Sequence, residues 1–237
     1  MELMHTREKK TLITKKKIIA AAGRIIRQYD FPYLTVKNVC EEAGVAYGSF
    51  YHHFGSKESV IYEYCHSLFE KMLEENPLPE DINRDDYIRV SVWYLLVYAR
   101  FCELMGKDII RYIFQNGPDD MFYREHFSGL ICDTLQRGYD NGYMDMGAHP
   151  ERLSHVADDL SVVYKGVVYC WLTDLDVKSH RGRLCVGMEH VIQQILASFR
   201  SEKYLETAGE ELEMMTDAED FDNLFRVIPE ICSASTP

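Results

Sequence analysis

The chain has 237 residues, 46% of them hydrophobic, which is enough apolar material for a folded core and argues against disorder over most of its length. No apolar run reaches the roughly 18 residues that a membrane span needs, and the N-terminus MELMHTREKK is charged where a secretory leader would be apolar. The net charge of −12 would exclude a nucleic-acid partner if it were evenly spread, but residues 1–57 hold 10 Lys/Arg against 5 Asp/Glu and the remainder 16 against 33, so a small basic head precedes a large acidic body.

Apolar residues recur at i, i+3, i+4 and i+7 almost throughout, and period-two alternation is scarce, which predicts an all-α fold without a sheet. Thr14 is expected to cap a first helix that turns Ile18, Ile19, Ala22, Ile25 and Ile26 inward and also carries Lys15, Lys16, Lys17, Arg24 and Arg27. A second helix opens at Thr35, buries Val36, Val39, Cys40 and Ala43, and stops at Gly44. A third runs from about Ala46 to Phe54, and Ser56 caps a fourth that buries Val60, Ile61, Tyr64, Cys65, Leu68, Phe69 and Met72. After the linker PLPED come helices at about 85–104, after Lys107, and at about 119–142, 150–176 and 182–203. The tail from Ser201 sets 10 acidic residues against Lys203 and Arg226, and is read either as mobile or as a short helix near 217–227.

Two short helices joined at Gly44 make a helix-turn-helix, in which the first helix braces the second and the second enters the major groove of DNA. The stretch AGVAYGSFYHHFGSK fits that geometry. Phe50 and Phe54, four apart, anchor the helix inward, while Tyr47 and Tyr51, also four apart, present hydroxyls outward. Gly48 costs about 1 kcal/mol of helix stability relative to alanine, a cost that makes sense where backbone must approach another surface closely. Ser49 and His52 complete the exposed face. Lys57 stands at the first position of a helix, where the dipole disfavours a cation, so a phosphate bound there would engage both the lysine and the free backbone N–H groups. Adjacent helical residues diverge in direction, so His52 and His53 are not expected to share a metal. No metal site and no cofactor is expected elsewhere.

The segment TVKNVCEEAGVAYGSFYHHFGSKESV resembles the DNA-binding signature of the TetR family of bacterial transcription regulators, over about residues 14–62. The family has a Thr opening the second helix, A-G-V at the turn, a G-[ST]-x-Y-x-x-F reading helix and an [SN]-K-[ED] start to the fourth. Two positions depart: Ala46 stands where the family has Ser, Thr or Pro, leaving a poorer cap, and Cys40 replaces an alanine. The resemblance implies a DNA-binding set of Thr35, Lys37, Ala46, Tyr47, Gly48, Ser49, Tyr51, His52 and Lys57, with Thr35, Tyr51 and Lys57 on phosphates.

The resemblance also implies a second region that holds a small apolar or aromatic effector between helices. Tyr94, Tyr98, Phe101 and Cys102 share a stripe there, joined by Phe127, Ile131, Tyr164 and Val168, and a packed core is the alternative reading of the same residues. In 150–176, Leu153, Val156, Leu160, Val163 and Val167 form one stripe and Ala157, Tyr164, Val168 and Trp171 another; Leu184, Met188, Val191, Ile195 and Phe199 repeat similarly in 182–203. Arcs that wide predict a twofold four-helix dimer seam, which would space two reading heads one DNA turn apart on a palindromic operator.

The expected organisation is therefore a DNA-binding head at 1–56, a ligand-binding and dimerisation bundle at 57–203, and an acidic tail at 204–237. GxSxG, HExxH and glycine-rich phosphate loops are missing, so an enzyme is not expected. Seven cysteines without CxxC spacing, behind no leader, point to reduced thiols and a cytoplasmic location. A helical enzyme acting on a small aromatic substrate and a DNA-binding regulator without an effector are the other two classes compatible with these residues.

Overall fold

A computed structural model describes residues 2–29, 31–116, 128–173, 183–209, 212–217 and 221–229. Ten α-helices follow in order among these: α1 Glu2–Gln28, α2 Val36–Ala43, α3 Tyr47–His53, α4 Lys57–Glu75, α5 Tyr87–Met105, α6 Lys107–Asn116, α7 Ser128–Asp140, α8 Leu153–Leu172, α9 Leu184–Ala197 and α10 Glu202–Ala208. The described residues form no strand, only an antiparallel bridge between Met144 and Arg200.

Residues 119–127, 174–176 and 182 of the expected helices lie outside the described residues, and near 217–227 only short turns at Met215–Asp217 and Phe221–Asn223 are described. Among the described residues, two boundaries differ most from expectation. α1 begins a dozen residues before Thr14, whose hydroxyl bonds back to the Lys10 carbonyl at 3.0 Å instead of capping. Residues 2–13 contain neither Gly nor Pro, so nothing upstream stops the helix, and a threonine inside a helix satisfies itself on the preceding turn. The helix expected to run from 182 to 203 is broken after Ala197. Ser201 then accepts the Tyr204 N–H and starts α10 afresh.

The chain divides into two compact units, residues 1–72 with 104–119 and 227–237, and residues 73–103 with 120–226. In the first unit, α1 contributes Ile18, Ala21, Ala22, Ile25 and Ile26 to a core completed by Val39 and Cys40 of α2, Phe50 and Phe54, and Val60, Ile61, Tyr64, Cys65, Leu68 and Phe69 of α4. Gly23 marks the closest crossing: a Cβ placed there would stand 2.4 Å from the Tyr64 ring.

The second unit is built around α5, which is buried on nearly every side from Tyr87 to Cys102, as expected of a helix apolar all round. Ile131 and Leu135 of α7, Leu160, Tyr164 and Val168 of α8, and Leu184, Met188, Ile192 and Leu196 of α9 are buried with it. The described tail residues up to Arg226 belong to this unit. Phe225 stacks on Trp93 at 5.0 Å, and Asn76 pairs with the backbone of Arg226 in both directions, at 2.7 and 3.0 Å. Among the described residues, no helix is long and apolar enough to cross a membrane.

Candidate nucleic-acid interface

The turn between α2 and α3 is set by three local devices. Thr35 is extended, and its Oγ1 accepts the Asn38 N–H at 3.1 Å, which fixes where α2 starts. Gly44 is left-handed at φ 64°, ψ 39°, and its N–H reaches back to the Cys40 and Glu41 carbonyls, which ends α2 as only a residue without Cβ does cheaply. Val45 N–H closes on the Cys40 carbonyl at 3.0 Å, and α3 begins at Tyr47. Ala46, as its residue type predicts, makes no side-chain cap.

On α3 the two faces are cleanly separated. Phe50 and Phe54 are buried at 0% and 3% exposure, while Tyr47 and Tyr51 stand out at 49% and 56%. Ala46, Gly48 and His52 are exposed and Ser49 is half-buried. Positions 47, 48, 51 and 52 thus form one stripe. A Cβ added at Gly48 would meet nothing within 4 Å among the described residues, so none of these neighbours requires this glycine. His53 is half-buried, and burial, with His52 and Lys15 close by, lowers its pKa. On α2, Thr35 and Lys37 are exposed, and Lys37 Nζ lies 4.0 Å from Glu41 one turn on.

The basic residues of α1 divide by task. Lys15 pairs with Glu63 at 2.6 Å and lies over the Phe54 ring; Arg24 pairs with Glu42 at 2.5 Å; Arg27 donates to the Tyr64 hydroxyl at 3.1 Å. These three brace the head internally. Lys9, Lys10, Lys16 and Lys17 are exposed and make no ion pair with a described residue.

Lys57 is half-buried at the start of α4, with its Nζ 5.5 Å from the centre of the Phe31 ring and 4.7 Å from that of Tyr112. Sequence reasoning missed both rings. Tyr112 lies on α6, far along the chain, and no local pattern ties it to the head. Tyr29 and Tyr33, exposed and stacked at 4.5 Å, were also missed, though their four-residue spacing was visible.

In the second unit, Tyr98, Phe101, Cys102, Ile131, Tyr164 and Val168 are buried, Tyr94 is half-buried, and Phe127 lies outside the described residues. The structure brings Tyr98, Cys102 and Tyr164 together: the two tyrosine rings meet edge-on at 5.2 Å, and burial, with Cys102 and Tyr164 alongside, pushes the Tyr98 hydroxyl well above its ordinary value. Burial pushes the Cys102 thiol up to about 12. Arg100 Nη1 pairs with Glu103 Oε2 at 3.2 Å, and Glu103 Oε1 accepts the Cys185 N–H at 3.3 Å. The described clefts lie elsewhere, one of about 440 Å³ lined by Asp81, Asp86, Arg89, Tyr143, Tyr204 and Glu213 and a second of about 250 Å³ adjoining it around Ile82, Trp93 and Met214.

The expected seam residues separate in the same way. Leu153, Val156, Ala157, Leu160, Tyr164 and Val168 of α8, and Leu184 and Met188 of α9, are buried within the subunit. Val163, Val167, Trp171, Val191, Ile195 and Phe199 are half-buried, and Val162 and Tyr169 are exposed at 69% and 59%, with Gly166 open between them.

The family model for bacterial regulatory proteins of the tetR family matches residues 18–64, from the inner part of α1 into α4. The uncharacterized HTH-type transcriptional regulator YerO of Bacillus subtilis strain 168 is 23% identical over 181 residues, 75% of this chain, and the chain spans about 60% of the length of that relative. A solved structure described as a TetR-family transcription regulator from Shewanella sp. PV-4 is 14% identical, covering 80% of this chain and 99% of that one with a TM-score of 0.46. The helix-turn-helix built from Thr35, Gly44 and Phe50, and the match across it, make residues 18–64 similar to the bacterial regulatory proteins of the tetR family.

Proposed function

We propose that the protein is a DNA-binding transcription regulator that reads duplex DNA with α3. The observation that carries this is the outward stripe of α3. Two tyrosines stand in solvent beside a glycine that no described neighbour requires, a costly arrangement for a free helix and a useful one for a helix lying against another surface. In this reading Tyr47, Gly48, Ser49 and His52, with Ala46, face base edges. Thr35, Lys37, Tyr51 and Lys57 engage phosphates, supplemented by the unpaired lysines of α1.

The finer reading is a homodimeric repressor of a palindromic operator, acting in the cytoplasm and released by a small apolar or aromatic effector. The exposed Val162–Gly166–Tyr169 stripe of α8 supports pairing of two copies, since a lone monomer gains nothing from a valine and a tyrosine in water. The buried tyrosine–cysteine cluster of Tyr98, Cys102 and Tyr164, with Tyr94, Phe101, Ile131 and Val168 around it, supports an effector site in which ligand binding shifts the population towards a form of lower DNA affinity. Residues 1–56 then serve as reading head, 57–203 as effector and dimer body, and 204–237 as a tail.

The test is to pass sheared genomic DNA of the source organism over the immobilised protein at low ionic strength and sequence what is retained. Enrichment of a palindrome, with a changed preference for Tyr47→Ala, supports the reading. Retention of no duplex at any salt overturns it.

A further inference from the structure

The first turn of α4 is held by a residue of α6. The Phe31 and Tyr112 rings meet edge-on with centroids 4.9 Å apart, and the Lys57 ammonium lies over both. The same tyrosine donates its hydroxyl to Glu58 Oε1, so one side chain handles two consecutive residues of opposite charge. All four belong to the same compact unit, and Phe31, Lys57, Glu58 and Tyr112 are each half-buried, at the surface and not in its core.

The chemistry of this box is asymmetric. A ring face attracts an ammonium through its quadrupole without taking up its N–H donors in directed bonds, so a lysine held between two rings keeps donors for a third partner outside. Glu58 is the opposite case: its carboxylate would repel a phosphate placed at the α4 N-terminus and would compete for Lys57. The Tyr112 hydroxyl occupies it, and that bond holds the Glu58 carboxyl below its ordinary range. Burial, with Glu58 alongside, pushes the Tyr112 hydroxyl up, so it remains a donor.

We propose that Tyr112 is a positioning residue for DNA contact, fixing Lys57 against Phe31 with its donors outward and occupying the Glu58 carboxylate, so that α6 sets the phosphate affinity of the α4 N-terminus. This rests on the reading of the head as a duplex-binding unit. It adds that a residue outside the helix-turn-helix decides how strongly one of its phosphate ligands acts.

The experiment measures binding of a fluorescently labelled duplex of arbitrary sequence by the full-length protein across a salt series, for wild type, Lys57→Ala, Tyr112→Leu, Tyr112→Phe and the double variant Lys57→Ala/Tyr112→Leu. Melting curves accompany each. Lys57→Ala lowers the log–log salt slope by about one per subunit. Tyr112→Leu is expected to lower it equally, with roughly two- to fivefold weaker binding at fixed salt, and to add nothing in the Lys57→Ala background. Tyr112→Phe keeps the ring and the slope but releases Glu58, so binding weakens at unchanged slope.

A folded Tyr112→Leu variant with the wild-type slope overturns the proposal, even if affinity falls, because a merely structural role would weaken binding without removing a counterion-releasing contact. Should Tyr112→Leu fail to fold, Phe31→Leu takes its place with the same expected loss of slope, and a wild-type slope there overturns the proposal equally. Failure of the wild type to bind any duplex defeats the underlying reading instead, so the two failures are distinguishable.

Discussion

Phe50 and Tyr51 are neighbours in sequence, their rings meet edge-on at 5.3 Å, and they belong to opposite worlds: Phe50 is 0% exposed and Tyr51 is 56% exposed. Substitution separates the two tasks of α3. Phe50→Ala removes a fully buried ring and is expected to destabilise the protein by about 3–5 kcal/mol. Tyr51→Ala removes a solvated ring and is expected to change stability by less than about 0.5 kcal/mol, while weakening DNA binding. Thermal melts paired with duplex titrations check both. A Tyr51→Ala variant that binds DNA as wild type removes this tyrosine from the interface.

Gly48 yields a sharper prediction, because stability and function should move in opposite directions. It sits inside a helix, and an added Cβ would have open space around it. Gly48→Ala is therefore expected to stabilise the protein by about 0.5–1 kcal/mol. If the α3 backbone approaches DNA closely at this point, the same methyl group obstructs it and affinity falls. Denaturant melts and duplex titrations on one preparation decide the matter. A stabilised variant with undiminished binding would mean that the glycine is there for no interface.

The head was legible in the sequence because its devices are local. A threonine cap, a left-handed glycine and two phenylalanines four apart each act within a turn or two, so their spacing is their geometry. The start of α1 was misplaced for a related reason. A capping residue marks a helix start only when the residues before it resist helix, and residues 2–13 do not. What stayed hidden is non-local: the placement of Tyr112 over Lys57, the use of Arg24 and Arg27 as braces to α2 and α4, and the stacking of Phe225 on Trp93. Nothing in the acidic composition of the tail announces that its aromatic residues are core residues of the second unit.

That tail attachment is testable. Asn76 is buried, accepts the Arg226 N–H and donates to the Arg226 carbonyl, and its own carbonyl accepts the Trp93 indole N–H at 3.4 Å. Asn76→Ala leaves the two Arg226 backbone groups without these partners beneath a stacked aromatic pair, which is expected to cost about 1–3 kcal/mol. The localised effect is the better readout. Limited proteolysis should cut the variant near residues 221–229 at protease levels that spare the wild type, with the remainder of the digest unchanged. Equal resistance would show that the Trp93–Phe225 stack holds the tail without help.

A buried carboxylate makes the same attachment sensitive to pH. Glu189 of α9 is 1% exposed, accepts the Met215 and Thr216 N–H groups at 2.6 and 2.8 Å, and is joined by Gln193 Nε2 at 3.2 Å. Burial raises its pKa; the hydrogen bonds from Thr216 and Met215 oppose that shift without cancelling it. The folded protein therefore holds the proton more tightly than the unfolded chain does. The stabilising contribution is complete below the ordinary glutamate range and is lost as pH rises through the raised value. Glu189→Gln removes the titration, so the difference in stability between wild type and variant should change across that window, with the wild type gaining relative to the variant as pH falls. Denaturant midpoints at a series of pH values measure it. A constant difference across the window would mean that the backbone N–H groups compensate the charge of Glu189 fully, leaving its pKa where an exposed glutamate has it.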